Sequence, residues 1–451
     1  MKMKKVLAIL ISLLLVVVLL TSCSQNTTPA ATEAPAETEA PAETEAPAET
    51  EAPAETEAPA ETEAPAQPAE PAGPIAKEDI KLAVILLHDE LSTYDLNFIN
   101  SAKRAAEALG LGENQLKLYR SIPESAECAE VAQEAIEDDG ANIVFFDSYG
   151  HQFYTDDVVA KHPNVQFYHA TGDRAHLLPY GNLHNAFATI FEGRYLAGIA
   201  AGMKLNQLKE EGKLKGKVPL MGYVGAYTYA EVVSGYTSFY LGAKSVCPDV
   251  QMKVQFTGSW YDEKKEKDAA EALIAAGADL ISQHADSMGA PTACEDAGIP
   301  NVCYNVSTKE ACPDTYLIYS KIDWEPYFEY IINKAIAGEN VETDWTGTME
   351  TKSVLVEDLN EAVAAPGTKE ALEQAEADIK AGTLHVFDTA KEGFITVGGA
   401  QVGEDWKPAD DGYNDETPRA VRDGYLHESE FRSAPYFDLR IDGIELLNEV
   451  F

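Results

Sequence analysis

The chain has 451 residues, with 75 Asp and Glu against 34 Lys and Arg, for a formal net charge of -41. No run of Lys and Arg forms a basic stripe, which excludes nucleic acid as the expected partner. Six cysteines stand in no CxxC or Cys/His spacing, which argues against zinc, and beyond residue 74 no apolar run is long enough to span a bilayer.

In chain order, the first predicted element is a secretory signal. Lys2, Lys4 and Lys5 precede an apolar run at 7–20, which Leu20-Thr21-Ser22-Cys23 closes. Basic start, apolar centre and small-residue cleavage site are the three parts of such a signal. The cysteine directly after the small residues resembles the lipobox of bacterial lipoproteins. That resemblance implies a signal peptide at 1–22, a lipid on Cys23 and a chain held on the extracytoplasmic face of the bacterial cell membrane. An ordinary signal, or a membrane anchor with a chance cysteine, is the alternative; the run is short for a spanning helix, which needs ~20 residues.

Residues 23–76 read as a linker. From 37 to 66 the hexapeptide Glu-Thr-Glu-Ala-Pro-Ala repeats without error. Proline at every sixth position blocks helix and sheet pairing, and Ala, Thr and Glu offer nothing large to bury. The expectation is a disordered, extended tether, reaching up to ~3.1 Å per residue. A repeat expansion with no tuned length reads equally from the same residues.

The rest exceeds one ordinary core and predicts two lobes. Strands are predicted at 80–87, 116–119, 142–146 and 165–169, with helices at 96–109 and 126–136. The alternation then restarts with a long helix at 188–205, whose small residues (Ala197, Gly198, Ala200, Ala201, Gly202) allow close packing. Strands follow at 218–224, 254–257, 280–283 and 301–304, and helices at 231–246, 266–276 and 291–296. Such alternation means mostly parallel sheets with helices on both faces. The predicted fold class is α/β, two doubly wound Rossmann-like lobes with a cleft between them, where ligands bind beyond the carboxyl ends of the strands. Of the cysteines after Cys23, Cys128 and Cys294 fall in helical patterns as buried free thiols. Cys303 and Cys312 can close a surface loop.

Four stretches occur in order: Phe191-Glu192-Gly193-Arg194-Tyr195-Leu196-Ala197-Gly198; Gly222-Tyr223-Val224 with Glu231-Val232-Val233-Ser234-Gly235; Gly258-Ser259-Trp260-Tyr261-Asp262; and Gly277-Ala278-Asp279 with Gln283-His284-Ala285-Asp286-Ser287. Together they resemble the basic-membrane-protein (PnrA-like) family of lipoproteins, the substrate-binding subunits of purine nucleoside and nucleobase ABC importers. The similarity covers about 80–338, and its spacing looks like the branch associated with nucleobases such as adenine. The resemblance implies a type I periplasmic-binding fold, with hinge crossovers near 184–191, 319–324 and 345–352. The first lobe is then 77–187 with 322–347, and the second 188–321 with 348–451. It further implies a monomeric receptor, without cofactor or metal, that binds a small aromatic solute and hands it to an ABC permease. A sugar or another heteroaromatic solute, or a ligand-presenting sensor, is the alternative. No hydrolase elbow, zinc-protease helix or phosphate loop is present to support an enzyme. The segment 386–451 is longer and more acidic than the resemblance leads one to expect.

The strand ends supply candidate ligand-binding residues. Tyr94 falls on a family aromatic and can stack on a purine. Asp95 and Asn97 can meet a base edge or can simply cap a helix. After the strand at 142–146, Asp147 can hold hydroxyls or an amino group, Tyr149 follows it, and Gly150 lets the backbone turn. Trp260 reads as a stacking wall or as hinge packing. Asp286, in a His-x-Asp-Ser motif, is the strongest ligand candidate. His284 with Asp286 has the look of a metal pair, but strand alternation offers no third ligand. Tyr304 and Asn305 end the next strand, and Trp324 reads as structural.

Overall fold

A computed structural model of the protein describes residues 73–406 and 420–451. The predicted signal, Cys23 and the repeat linker lie outside the described residues.

Two sheets organise the chain. The first holds β1 (Leu82–Ile85), β2 (Leu116–Tyr119), β3 (Ile143–Phe146), β4 (Gln166–Ala170), β5 (Leu183–Ala188) and β11 (Asp344–Gly347), in the order β11-β5-β4-β3-β1-β2. All its pairings are parallel. The second holds β6 (Leu220–Gly225), β7 (Gln251–Phe256), β8 (Leu280–Gln283), β9 (Asn301–Tyr304), β10 (Tyr316–Ile322) and β12 (Val354–Glu357), in the order β12-β10-β9-β8-β6-β7, extended by Ile444–Leu446 beside β7. Only β12 runs antiparallel to its neighbour. The central strands are unbroken apolar runs, such as Ile143–Phe146, buried throughout because helices cover both faces of a parallel sheet.

Within each lobe the first five strands lie in the spatial order 2-1-3-4-5. This order reverses direction between its first and third strands, and there the loops leaving the strand ends part to form a crevice. The first lobe opens such a crevice after β1 and β3, the second after β6 and β8. The chain passes between the sheets at Thr189, entering α4 (Ile190–Glu210), at Asp323-Trp324, entering α8 (Glu325–Ala337), and between β11 and β12.

The small residues of α4 do what their size predicts. A Cβ on Gly198 would sit 2.1 Å from the Phe239 carbonyl oxygen, and one on Gly242 would sit 2.0 Å from that of Tyr195. The α4 backbone therefore lies directly against α5 (Ala230–Val246). At the second crossover Trp324 is structural: it stacks on Phe98 at 4.6 Å and is buried.

The loop that Cys303 and Cys312 can close is not closed: like Cys128, Cys247 and Cys294 they are free and buried. The Cys303 thiol lies within hydrogen-bonding reach of the Asn301 side chain at 2.7 Å and of Thr308 Oγ1 at 2.6 Å, polar partners that stabilise it as a thiol inside the lobe. Gly150 lies in the tight 3-10 turn Tyr149–Phe153, without a positive φ. Its missing Cβ also leaves room for the Glu124 carboxylate, which accepts from Gly150 N at 2.7 Å and Ser148 Oγ at 2.6 Å. The C-terminal segment also reaches beyond the second lobe. Ser433 N donates to Asp344 of β11 at 2.7 Å, and Arg432 pairs with Asp173 at 3.5 Å.

Candidate functional site

The two crevices face each other across a cavity. From the first lobe come Leu87 and His88 after β1, Tyr94 and Asp95 in the first turn of α1 (Thr93–Ala108), Ser148 and Tyr149 after β3, and Thr171 after β4. From the second come Glu231 at the start of α5, Trp260 after β7, and His284 and Asp286 after β8. The lobes also touch directly: Thr93 N donates to the Asp286 carbonyl at 2.8 Å, and the rings of His88 and Tyr261 lie 5.5 Å apart. The structure is a closed form.

Ser92 caps α1, its hydroxyl accepting from Asp95 N at 3.3 Å. Asp95 is thereby released from capping, and its carboxylate accepts from His88 N at 2.7 Å. Burial pushes Asp95 up, but hydrogen bonds from His88 and Ser92 outweigh burial and hold it below the usual carboxylate range. Asp147, fully buried beside it, is driven well above that range by burial and by the charge of Asp95. Tyr94 donates to the Asp147 carbonyl at 2.8 Å and meets Phe98 edge to face at 4.9 Å, which fixes the tyrosine ring at the cavity wall. Tyr149 packs on Tyr229 at 5.3 Å, and Trp260 meets Tyr227 edge to face at 5.2 Å.

Asp286 is buried. Burial, then Glu266, Asp95 and Glu231, push its carboxyl well above the usual range. Burial with Glu428 behind it pushes Glu231 up to about 8. Among the described residues no lysine or arginine lines the cavity. An empty closed cleft thus forces protons onto its acids. A solute that offers N–H or O–H donors relieves that cost, because hydrogen bonds to the charged form favour ionisation. Among the described residues no group of three His, Cys, Asp or Glu is placed to hold a metal ion.

Of the residues singled out from sequence, Tyr94, Asp95, Tyr149, Trp260 and Asp286 meet at the cavity. Four others stand behind its wall. Asn97 donates to the Ile322 carbonyl at 2.7 Å, pinning α1 to the second crossover instead of facing solute. Asp147 accepts from Leu87 N at 3.0 Å. Tyr304 packs its ring 4.9 Å from that of His284. Asn305, held at φ 69°, a conformation Asn tolerates, donates to Asp286 at 3.3 Å. Sequence reasoning missed Glu231 as a wall residue and set His284 aside as half of a metal pair. The rank of Glu231 in the second motif, just after a strand end, was the available signal.

Two doubly wound lobes, joined by three crossovers and closed on a cavity at facing strand ends, are the build of a type I periplasmic solute-binding protein. A family model described as ABC transporter substrate-binding protein PnrA-like matches residues 83–384, and the chain belongs to that family. The purine-binding protein of Brucella abortus is 32% identical over 70% of this chain and 83% of its own length. A Haloferax volcanii protein named as an ABC transporter glucose-binding protein is 30% identical over 56% of this chain and 62% of its own. A solved ABC-transporter solute-binding protein from Aeropyrum pernix K1 shares the fold, with a TM-score of 0.56 at 17% identity, covering 70% of this chain and 94% of that one. The family is one of substrate-binding proteins of ABC transporters and not a class of enzymes.

Proposed function

We propose that this protein is the lipid-anchored, extracytoplasmic receptor of an ABC importer, working as a monomer that closes on a purine nucleobase or nucleoside. The observation that carries the reading is the cavity wall: Tyr94, Tyr149 and Trp260 present aromatic surface from both lobes, and the ionisable acids around them are Asp95, Glu231 and Asp286. A flat heteroaromatic ring gains ~0.5–1.5 kcal/mol per aromatic partner beyond its buried area. Each donor it aims at an ionised carboxylate adds ~1.5–3 kcal/mol. On this reading residues 77–187 with 322–347 turn as one body against 188–321 with 348–451, and the closed form is what the permease recognises. The name of the Brucella relative supports the purine. The name of the Haloferax relative supports a second reading, a sugar whose hydroxyls donate to the same acids.

Thermal-shift measurements on the full chain in mild detergent, against adenine, adenosine, guanosine and glucose, separate the two. Stabilisation grows with the ratio of free ligand to Kd, so a tight solute stands out. A rise of several degrees with a purine, lost in Trp260→Ala and in Asp286→Ala, is the expected result. A response to glucose alone removes the purine. The anchor is tested separately: labelled palmitate should enter the wild-type chain in a bacterial host and be absent from Cys23→Ala.

A further inference from the structure

Arg194 of α4 is wholly buried under the cavity floor, and among the described residues no carboxylate pairs with it. Its Nη2 donates to Tyr223 Oη at 2.9 Å, to Ser282 Oγ at 3.1 Å and to the Gln283 carbonyl at 3.2 Å. The guanidinium also lies 4.9 Å from the Tyr304 ring centroid, over its face. Tyr223 Oη in turn lies 3.4 Å from His284 Nδ1.

Proton counting fixes the direction of this chain. Arg194 has only donors, so Tyr223 Oη accepts from it and its own hydrogen is left for His284 Nδ1. If Nδ1 carried the proton instead, the Tyr223 hydroxyl hydrogen would be buried without an acceptor, a costly arrangement. Burial, and then the Arg194 charge, hold His284 down at about 3, so the ring has a single proton. With Nδ1 accepting, that proton sits on Nε2. His284 lines the cavity.

We infer that Arg194 and Tyr223 set His284 as a hydrogen-bond donor into the cleft, so that the site selects heteroaromatic solutes carrying an unprotonated ring nitrogen as acceptor. The inference deepens the purine-type reading of the cleft and rests on it. His284 touches the solute; Arg194 and Tyr223 are positioning residues. The wall gains a donor of fixed direction, and that donor distinguishes a ring nitrogen from a ring C–H in a solute of the same shape.

The test has two arms. In the empty full chain, histidine nitrogen NMR at pH 7, with the His284 signal identified by its loss in His284→Phe, should show a neutral ring protonated at Nε2. In Tyr223→Phe that preference should disappear while the melting transition persists. A ring protonated at Nδ1, or at both nitrogens, overturns the inference. In the second arm, adenine is compared with its 1-, 3-, 7- and 9-deaza analogues by calorimetry. One replacement should weaken binding to the wild type by about ten- to hundredfold, since it leaves a buried donor unmet, and that penalty should vanish in His284→Phe. Equal penalties in both proteins for every analogue overturn the inference even where adenine binds. Failure of every purine to bind defeats the purine reading instead, and the NMR arm then decides the wiring without any ligand.

Discussion

Glu231 opens α5 at the cavity wall, with Glu428 of the C-terminal segment held behind it by Ser234. Burial, then that second acid, push Glu231 up to about 8; burial pushes Glu428 up to about 7. The unfolded chain titrates glutamate near ~4.3. Below that value both states hold the proton and Glu231 costs nothing. Between there and about 8 the folded form must keep a proton that the unfolded form has lost, so stability falls as pH rises, and above about 8 the penalty is constant. Glu231→Gln cannot ionise. Its melting temperature should match the wild type at pH 4.5, exceed it increasingly toward pH 8, and hold a steady excess beyond. A pH-independent difference in thermal scans would contradict the burial account. Trp260→Ala acts on solute instead of stability: it removes a stacking face at the rim, and affinity should fall about tenfold in calorimetry with little change in melting. At this scale the sequence showed Trp260 and Asp286 because both sit in motifs directly after strands. Glu231 carried the same kind of motif signal, but an acid in the first turn of a helix ordinarily complements the helix dipole, and that ordinary role masked it.

Helix α4 and helix α5 make contact backbone to backbone, and that contact joins the first crossover to the helix that carries Glu231. Gly198→Ala places a methyl group 2.1 Å from the Phe239 carbonyl oxygen, and Gly242→Ala places one 2.0 Å from that of Tyr195. Neither neighbour is a flexible side chain, so the helices must separate. Each substitution should cost at least the ~1–3 kcal/mol typical of overpacking, read as a lowered denaturant midpoint. Gly216→Ala, with no atom nearer than 3.7 Å, is the control and should leave the midpoint in place. The expected bounds 116–119, 280–283 and 301–304 coincide with β2, β8 and β9, of which β8 and β9 are buried throughout. Helix α1 begins at Thr93, three residues before the expected 96, because its first turn is polar and faces the cleft. Helix α4 runs to Glu210, past the expected 205, because its last turn meets solvent and carries no apolar period. Strands β5 and β11 went unread.

If the lobes part as proposed, closure and proton uptake are one equilibrium for the molecule as a whole. In the closed form Asp147, Glu231, Glu266 and Asp286 all sit above their ordinary values, burial being the largest cause for each, while Asp95 stays ionised among them. Opening returns the wall acids to water, where they titrate near ~4. Raising the pH from about 5 to about 8 should therefore move the empty protein toward the open form, since that form releases protons the closed one must keep. A solute that donates to Asp286 and Glu231 supplies the missing hydrogen bonds and should restore closure at pH 8, through its greater affinity for the closed state. The lips that part are marked by His88 and Tyr261, whose rings lie 5.5 Å apart across the cleft. Spin labels on the exposed neighbouring positions, introduced as Glu90→Cys and Glu263→Cys, report that gap by pulsed dipolar spectroscopy, and the native thiols from Cys128 to Cys312 are buried and should not compete. The short-distance population should dominate at pH 5, give way to a longer one at pH 8, and return on adding the solute that raises the melting temperature. Because the acids act together, Asp286→Asn should blunt the pH response without abolishing it, and Asp286→Asn with Glu231→Gln should blunt it further. A distance distribution that ignores pH in the wild type would mean that packing between the lobes, and not the charge of the empty cleft, decides when the receptor opens.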